Sequence, residues 1–184
     1  MIRLPGFIDI CQGIVLKSIL CEDDIFRTFD DISNAMQPLQ VTNTITINAS
    51  ADKVWDALVN PDQTAKYMFG CRTVSDWKKG SSLLWEGEWE GKKTVFVKGT
   101  IAEIRPGQFL SYTVIDPLNP NIPDIPENYL TVTYDLMEEN GKTVLTVTQG
   151  DYSKVAEGEK RYKEAYNNGE GWNPILVQIK NLVE

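Results

Sequence analysis

Acidic side chains are the groups in this sequence that could do chemistry most directly. Glu86, Glu88 and Glu90 alternate with tryptophans in the segment LLWEGEWEGKKTVFV, residues 83–97. Alternation puts Glu86 and Glu88 on one face of a strand, which we expect to be solvated. Asp116 and Asp135 lie at the ends of other predicted strands. No spacing brings two carboxylates together for general acid–base work, so we predict no catalytic residue.

The chain contains no histidine. This excludes Ser-His-Asp and Cys-His nucleophiles, histidine-ligated zinc and a histidine general base. Cys71 has only Arg72 nearby as a cation that could lower the pKa of its thiol. Cys11, Cys21 and Cys71 form no Cys-x-x-Cys pair, which favours reduced thiols and a cytoplasmic location. We expect no metal and no cofactor. A binding protein is a better interpretation of this composition than an enzyme.

Three tryptophans are the stronger candidates for a site. Trp85 and Trp89 share one strand face with Gly87, and Trp172 belongs to the last predicted helix, which should pack on that face. They could simply fill a core, as buried aromatic side chains usually do. They could instead line a pocket of several hundred Å³. Gly87 favours the pocket, because a glycine between inward-facing indoles leaves room.

Polar side chains that point inward could orient a ligand. Tyr112, Tyr134 and Gln149 occupy inner positions of their predicted strands. A buried hydroxyl or amide without a partner costs roughly 1–3 kcal/mol, so each must bond a neighbour, trapped water or a ligand. For any one of these side chains, a bond to a neighbour or to trapped water is a simpler interpretation than a bond to a ligand.

Composition limits the class of protein and the partners that these residues could serve. The chain has 184 residues, 42% of them hydrophobic and 24% charged, enough for one ordinary globular domain. Its formal net charge is −8 without a basic run. Phosphate backbones and anionic membrane surfaces would be repelled, so nucleic acid is not an expected partner. No stretch reaches the roughly 18 apolar residues of a membrane span.

The pattern of elements predicts an α+β fold. A half-buried strand, VTNTITIN, is followed by a helix with Ser50 as its N-cap and by a short second helix ending near Gly70. About six strands with tight turns follow, one of them at Asn140-Gly141. The last helix is amphipathic and carries Trp172, Leu176, Ile179 and Val183 on one stripe. A sheet with one apolar face and one helix to cover it is the expected result.

The first 38 residues differ from the rest, because their apolar residues have no clean period. Three interpretations remain open: one or two helices packed on the domain, a loosely held arm, or an extension upstream of a domain that starts at Met36. We treat residues 1–38 as an N-terminal extension of unknown structure and residues 39–184 as the domain.

Five segments carry a family resemblance: ITINASADKVWDALVNPDQTAKYMFG, GSSLLWEGEWEGK, VKGTIAEIRPGQFLSYTV, LTVTYDLMEENGKTVLTVTQG and GEGWNPILVQIKNL. Over about residues 40–184 the chain resembles the homologues of the activator of heat-shock protein ATPase, in the START-like (SRPBCC) superfamily. The resemblance implies a helix-grip fold: a curved antiparallel sheet of about six to seven strands around a long C-terminal helix, with two short helices after the first strand. Such proteins usually hold a hydrophobic cavity between sheet and helix.

The resemblance has two departures. Relatives commonly carry adjacent tryptophans after the first helix, near the cavity mouth, where this chain has Tyr67, Met68 and Phe69. Relatives in eukaryotes that stimulate the chaperone also carry a separate N-terminal docking domain, and residues 1–38 are too short to be one.

Three functions follow, in order of preference. The first is non-catalytic binding of a small hydrophobic or amphipathic molecule; the second is a protein-interaction or chaperone-associated module, and the third is a cyclase- or hydrolase-like enzyme. Neither the ligand nor the oligomeric state can be read from the sequence. The predicted ligand-binding residues are Phe69, Trp85, Trp89, Tyr112, Tyr134, Gln149, Trp172, Leu176 and Ile179.

Overall fold

The computed structural model describes residues 38–184. The extension predicted for residues 1–38 lies outside this range except for Pro38. Seven strands form one antiparallel sheet with the order β1-β7-β6-β5-β4-β3-β2. The strands are β1 Val41–Ile47, β2 Arg72–Val74, β3 Ser82–Trp89, β4 Lys92–Arg105, β5 Phe109–Val114, β6 Leu130–Glu139 and β7 Lys142–Gly150.

Four α-helices pack with the sheet in residues 38–184. They are α1 Ala51–Val59, α2 Pro61–Tyr67, α3 Gly158–Tyr166 and α4 Asn173–Val183. None of the helices in this part of the chain has the length and apolar character that crossing a membrane requires. The arrangement is the α+β helix-grip fold expected from the sequence, with a curved sheet and a C-terminal helix.

The first strand and first helices follow the predicted pattern. Val41 and Ile47 face the core, and the threonines between them face solvent. Ser50 stands at the N-cap of α1, but its side chain makes no capping bond. A carboxylate oxygen of Glu138 accepts the Ala51 N–H at 2.7 Å instead. The side chain that caps α1 therefore comes from β6, 87 residues later in the sequence.

The C-terminal helical sequence is divided in two. Asn167 and Asn168, after α3, have left-handed backbone angles (φ 44° and 54°), which end a right-handed helix. The apolar stripe predicted for α4 faces the core, since Leu176 and Ile179 are fully buried. A helix of 11 residues, rather than one long rod, therefore covers the sheet.

The start of α4 is fixed to β1. The Trp172 backbone N–H donates to the Asn43 side-chain oxygen at 2.8 Å, and the Asn43 amide donates to the Glu170 carbonyl at 3.3 Å. Gly171 has φ +48°, and a Cβ there would lie 2.4 Å from the same Asn43 oxygen. Glycine is needed here for both its backbone angle and its small size.

Candidate functional site

A cavity of about 70 Å³ lies on the inner face of the sheet. Its apolar walls include Trp85 of β3, Val97 of β4, Val132 of β6 and Trp172 before α4. The chain from Ile115 to Ile122, which follows β5, also contributes to the lining. Strands, helix start and connecting loop thus enclose one small space.

Polar groups reach the same cavity from three directions. Tyr112 and Gln149 come from neighbouring inner positions of the sheet, since both are paired with Val132. Asp116 and Asn119 come from the loop after β5, and Arg161 comes from α3. The cavity therefore combines apolar walls with a few polar groups, as small-molecule sites usually do.

Gln149 is held by Trp172. The indole Nε1–H donates to Oε1 of Gln149 at 3.2 Å, and both residues are buried. An indole N–H is only a donor, so the amide oxygen must face the indole. This bond fixes the position of both side chains at the wall of the cavity.

The tyrosines form a buried, uncharged cluster beside it. The Tyr112 hydroxyl donates to the Tyr134 hydroxyl at 3.3 Å, and the Tyr134 ring meets the Trp172 ring edge-on at 6.2 Å. Burial raises the pKa of Tyr134 to about 12 and that of Tyr112 well above its ordinary value. Both hydroxyls are thus protonated at neutral pH and serve as hydrogen-bonding groups rather than bases.

The two charged residues at the cavity act on each other. Burial raises the pKa of the Asp116 carboxyl, while the Leu118 backbone N–H and the Arg161 guanidinium lower it. Arg161 also donates to the carbonyl oxygens of Asn128 and Ala156, at 3.3 Å each. Within residues 38–184, no three acidic or cysteine side chains come together as a metal site would require.

Of the nine residues predicted to bind a ligand, four line the cavity: Trp85, Tyr112, Gln149 and Trp172. Tyr134 lies behind Tyr112 and bonds its hydroxyl. Leu176 and Ile179 belong to α4 and are buried in the core. The structure brings Trp85 and Trp172 to one space, but it does not bring Trp89 there.

Phe69 lies at the surface and is 46% exposed, whereas its neighbour Met68 is buried and lines the cavity. The short helix α2 ends at Tyr67, and Phe69 adopts a left-handed backbone with φ 54°. Of the tripeptide that the resemblance indicated, Met68 lines the cavity, and the predicted Phe69 does not.

The gap expected beside Gly87 is absent. A Cβ on Gly87 would lie 3.0 Å from the Phe96 ring and 3.1 Å from the Cys71 sulfur. A β-bulge between β3 and β4 puts Phe96 opposite no residue, and its ring is buried. The expectation that Gly87 makes room for a ligand is wrong, since Phe96 and Cys71 fill that space.

Glu86 is also more enclosed than a solvated position would be. Its side chain is only 14% exposed and forms an ion pair with Lys93 at 2.6 Å. The pair borders an open groove beside the short strand β2 rather than the inner cavity.

Burial raises the pKa of the Cys71 thiol to about 11, so the thiol is protonated at neutral pH.

Other residues of the cavity were not singled out from the sequence. Ile122 is buried although it lies in the Pro-rich stretch DPLNPNIPDIPEN, and Arg161 lies in the charged helix α3. The stretch carries two isoleucines, Ile122 and Ile125, and only Ile122 is buried, so the sequence pattern did not distinguish the one that lines the cavity. Nothing in the charged pattern of α3 distinguished Arg161.

Comparison with known proteins agrees with this architecture. The solution structure of ChR145 from Cytophaga hutchinsonii is 39% identical, with a TM-score of 0.62, over 79% of this chain and 94% of that one. The Aha1 dimer from Colwellia psychrerythraea (15% identity, TM-score 0.57, 79% and 96% covered) and CalU16 from Micromonospora echinospora (17%, 0.55, 79% and 76%) share the fold. Among curated proteins, none matches the chain.

The sequence profile described as "Activator of Hsp90 ATPase homolog 1-like protein" matches residues 48–184, which include both helices after β1, the whole cavity wall and α4. The chain therefore belongs to the family of activator of Hsp90 ATPase homolog 1-like proteins.

Proposed function

We propose that this protein binds a small hydrophobic or amphipathic molecule, without catalysis, in the cavity between the sheet, the 115–122 loop and Trp172. The observation that supports this most is a largely apolar space beside a buried, hydrogen-bonded Gln149–Trp172 pair. A core selected only for packing has few voids larger than a water molecule. A void with both apolar walls and oriented polar groups is what a ligand site needs.

The volume limits the ligand in this conformation. At about 70 Å³ the cavity is well below the 300–1,000 Å³ typical of drug-sized ligands. A one-ring molecule therefore fits this proposal better than a sterol, unless the covering loop moves. Residues 115–122 belong to a longer loop, residues 115–129, which Asp124 holds at the surface by pairing with Lys98 and accepting the Tyr129 hydroxyl at 2.7 Å. Such exposed contacts open more easily than a packed core.

Intrinsic tryptophan fluorescence tests the proposal, because two of the five tryptophans line the cavity. The protein would be titrated with one-ring aromatic compounds, fatty acids, sterols, flavonoids and aromatic polyketides. Trp85→Phe and Trp172→Phe should each reduce a saturable signal. Trp89→Phe is the matched control, since Trp89 is on the same strand as Trp85 but outside the cavity lining. A flat response across the whole panel would reject the proposal.

A protein-interaction role is the second candidate, and a specific observation favours it. Leu118 and Ile125, on the Pro-rich loop, are 55% and 46% exposed. Where exposed apolar side chains form one contiguous patch, they mark a protein-binding site. Stimulation of the ATPase of a purified Hsp90-type chaperone, lost on Leu118→Ser and Ile125→Ser, would support this role. No stimulation by the unchanged protein would reject chaperone activation.

A further inference from the structure

The Gln149 side chain presents an unused donor to the cavity. Its residue is 5% exposed, and its amide oxygen is committed to the Trp172 indole. Because that indole cannot accept, the amide cannot flip, and its NH₂ group must point away from Trp172. The orientation of Gln149 is thus set by its partner.

Within residues 38–184, no group accepts a hydrogen bond from that NH₂. The contact to Trp172 is the single side-chain hydrogen bond of Gln149 among the described residues. In the same part of the chain, no fully enclosed side-chain nitrogen or oxygen lacks a partner. The Gln149 nitrogen is therefore open to the cavity that Gln149 lines. A donor that opens on a largely apolar cavity is stabilised when an acceptor binds there.

The surroundings of this donor are neutral. Tyr112 gives its only hydroxyl hydrogen to Tyr134, so it offers lone pairs but no proton to the cavity. Among the described residues of the lining, Arg161 is the cation; it donates to the carbonyls of Asn128 and Ala156, and its charge acts on the Asp116 carboxyl in the same lining. An anionic group beside Gln149 would lose its hydration in a lining where the Arg161 charge is already opposed by the Asp116 carboxyl.

From these contacts we infer that the ligand is an uncharged molecule with a carbonyl-type acceptor oxygen bound by the Gln149 NH₂, and an apolar ring held between Trp85 and Trp172. The inference rests on the proposed function and names its ligand class. Hydrocarbons of the same shape lack the acceptor, and carboxylates carry a charge that the site does not balance.

Three probes that differ at one group test it: acetophenone, ethylbenzene and benzoate. Affinities would be measured by ¹H–¹⁵N NMR titration of the full chain. Acetophenone should bind about three- to tenfold more tightly than ethylbenzene, which corresponds to one neutral hydrogen bond. Benzoate should bind most weakly. Acetophenone alone should shift the Gln149 side-chain amide signals, a readout that needs no variant.

The matched variant is Gln149→Glu, which keeps an acceptor for the Trp172 indole and removes the NH₂. The Trp172 indole signal, assigned with Trp172→Phe, should stay in place and show that the wall is intact. The preference for acetophenone over ethylbenzene should disappear. Equal binding of the two probes by the unchanged protein, a preference retained in Gln149→Glu, or tightest binding of benzoate would overturn the inference and leave the proposed function standing. No binding by any probe, together with a flat fluorescence panel, would reject both.

Discussion

The indole nitrogen of Trp172 and the amide oxygen of Gln149 lie 3.2 Å apart, and their bond joins the start of α4 to the end of β7. The backbone N–H of the same tryptophan bonds Asn43 of β1. One residue thus connects the covering helix to two adjacent strands. The position of the cavity wall depends on both bonds.

Removing the acceptor should therefore cost more when the Trp172 donor is present than when it is absent. Gln149→Leu leaves the buried Trp172 N–H without a partner, which should lower the free energy of unfolding by about 1–3 kcal/mol. In a Trp172→Phe background the same change should cost less, since no donor is left unsatisfied. Urea denaturation of the four proteins measures the coupling. Strict additivity of the two changes would contradict a direct bond.

Gly171→Ala should be strongly destabilising. The new Cβ would meet the Asn43 oxygen at 2.4 Å and a Val41 methyl at 2.7 Å, in addition to the left-handed backbone cost. Gly91→Ala is the matched control, because Gly91 has φ +74° with open space around it. We expect about 1 kcal/mol for the control and about 1–3 kcal/mol more for Gly171→Ala. Equal shifts in the urea midpoint would mean that the Asn43 contact is not tight.

Alkaline pH should destabilise the fold through its buried tyrosines. Burial raises the folded-state pKa of Tyr134 to about 12, and those of Tyr112 and Tyr67 also rise. Their contribution to stability is complete below the unfolded pKa of about 10 and is lost as pH rises through the folded values. Urea unfolding at a series of alkaline pH values should show this decline. Tyr134→Phe should make the decline shallower.

The phenolate absorbance gives an independent check on the same groups. The buried tyrosines Tyr67, Tyr112 and Tyr134, whose pKa burial raises, should ionise only as the protein unfolds. Simultaneous titration of all seven tyrosines in the folded protein would contradict the burial of Tyr112 and Tyr134.

Asp124→Asn should loosen the loop over the cavity with little effect on global stability. The change removes the charge that pairs with Lys98, and the pair is exposed. The amides of Ile122 and Asn128, which bond within the loop, should exchange hydrogen faster. Asp62→Asn removes a comparable exposed pair with Arg72 at α2 and should leave these amides unchanged. Unaltered exchange in Asp124→Asn would show that the ion pair does not hold the loop.

The N-terminus of α1 offers a sharp comparison between sequence and structure. Glu138→Ala should destabilise the protein by about 1 kcal/mol, because its carboxylate accepts the Ala51 N–H. Ser50→Ala should cost clearly less, since the Ser50 hydroxyl makes no capping bond. The reverse order in thermal denaturation would restore Ser50 as the functional cap.

The sequence predicted the order of the elements and the inward faces of β1, β6, β7 and α4, because these depend on local periodicity. Four of the residues singled out from the sequence line the cavity, each at an inner position of a strand or at the start of the last helix. These successes share a cause: the side chain's direction follows from its own element.

The failures share a different cause. Phe96 is turned into the core by a bulge, and the Glu138 cap comes from a strand 87 residues away from Ala51. Arg161 reaches the cavity through the packing of α3 against the loop. None of these depends on a period of two or 3.6 residues, so local pattern could not reveal them.

The pairing of β1 with β7 has a consequence for synthesis of the chain. Thr42 and Thr148 bond across these strands but are 106 residues apart along the sequence. At ribosomal rates of about 5–20 residues per second, β1 waits roughly 5–20 s for its partner strand to be made. During that interval β7, the strand with which β1 pairs, has not yet been synthesised. The N-terminal strand is made first, and its place in the sheet is completed among the last.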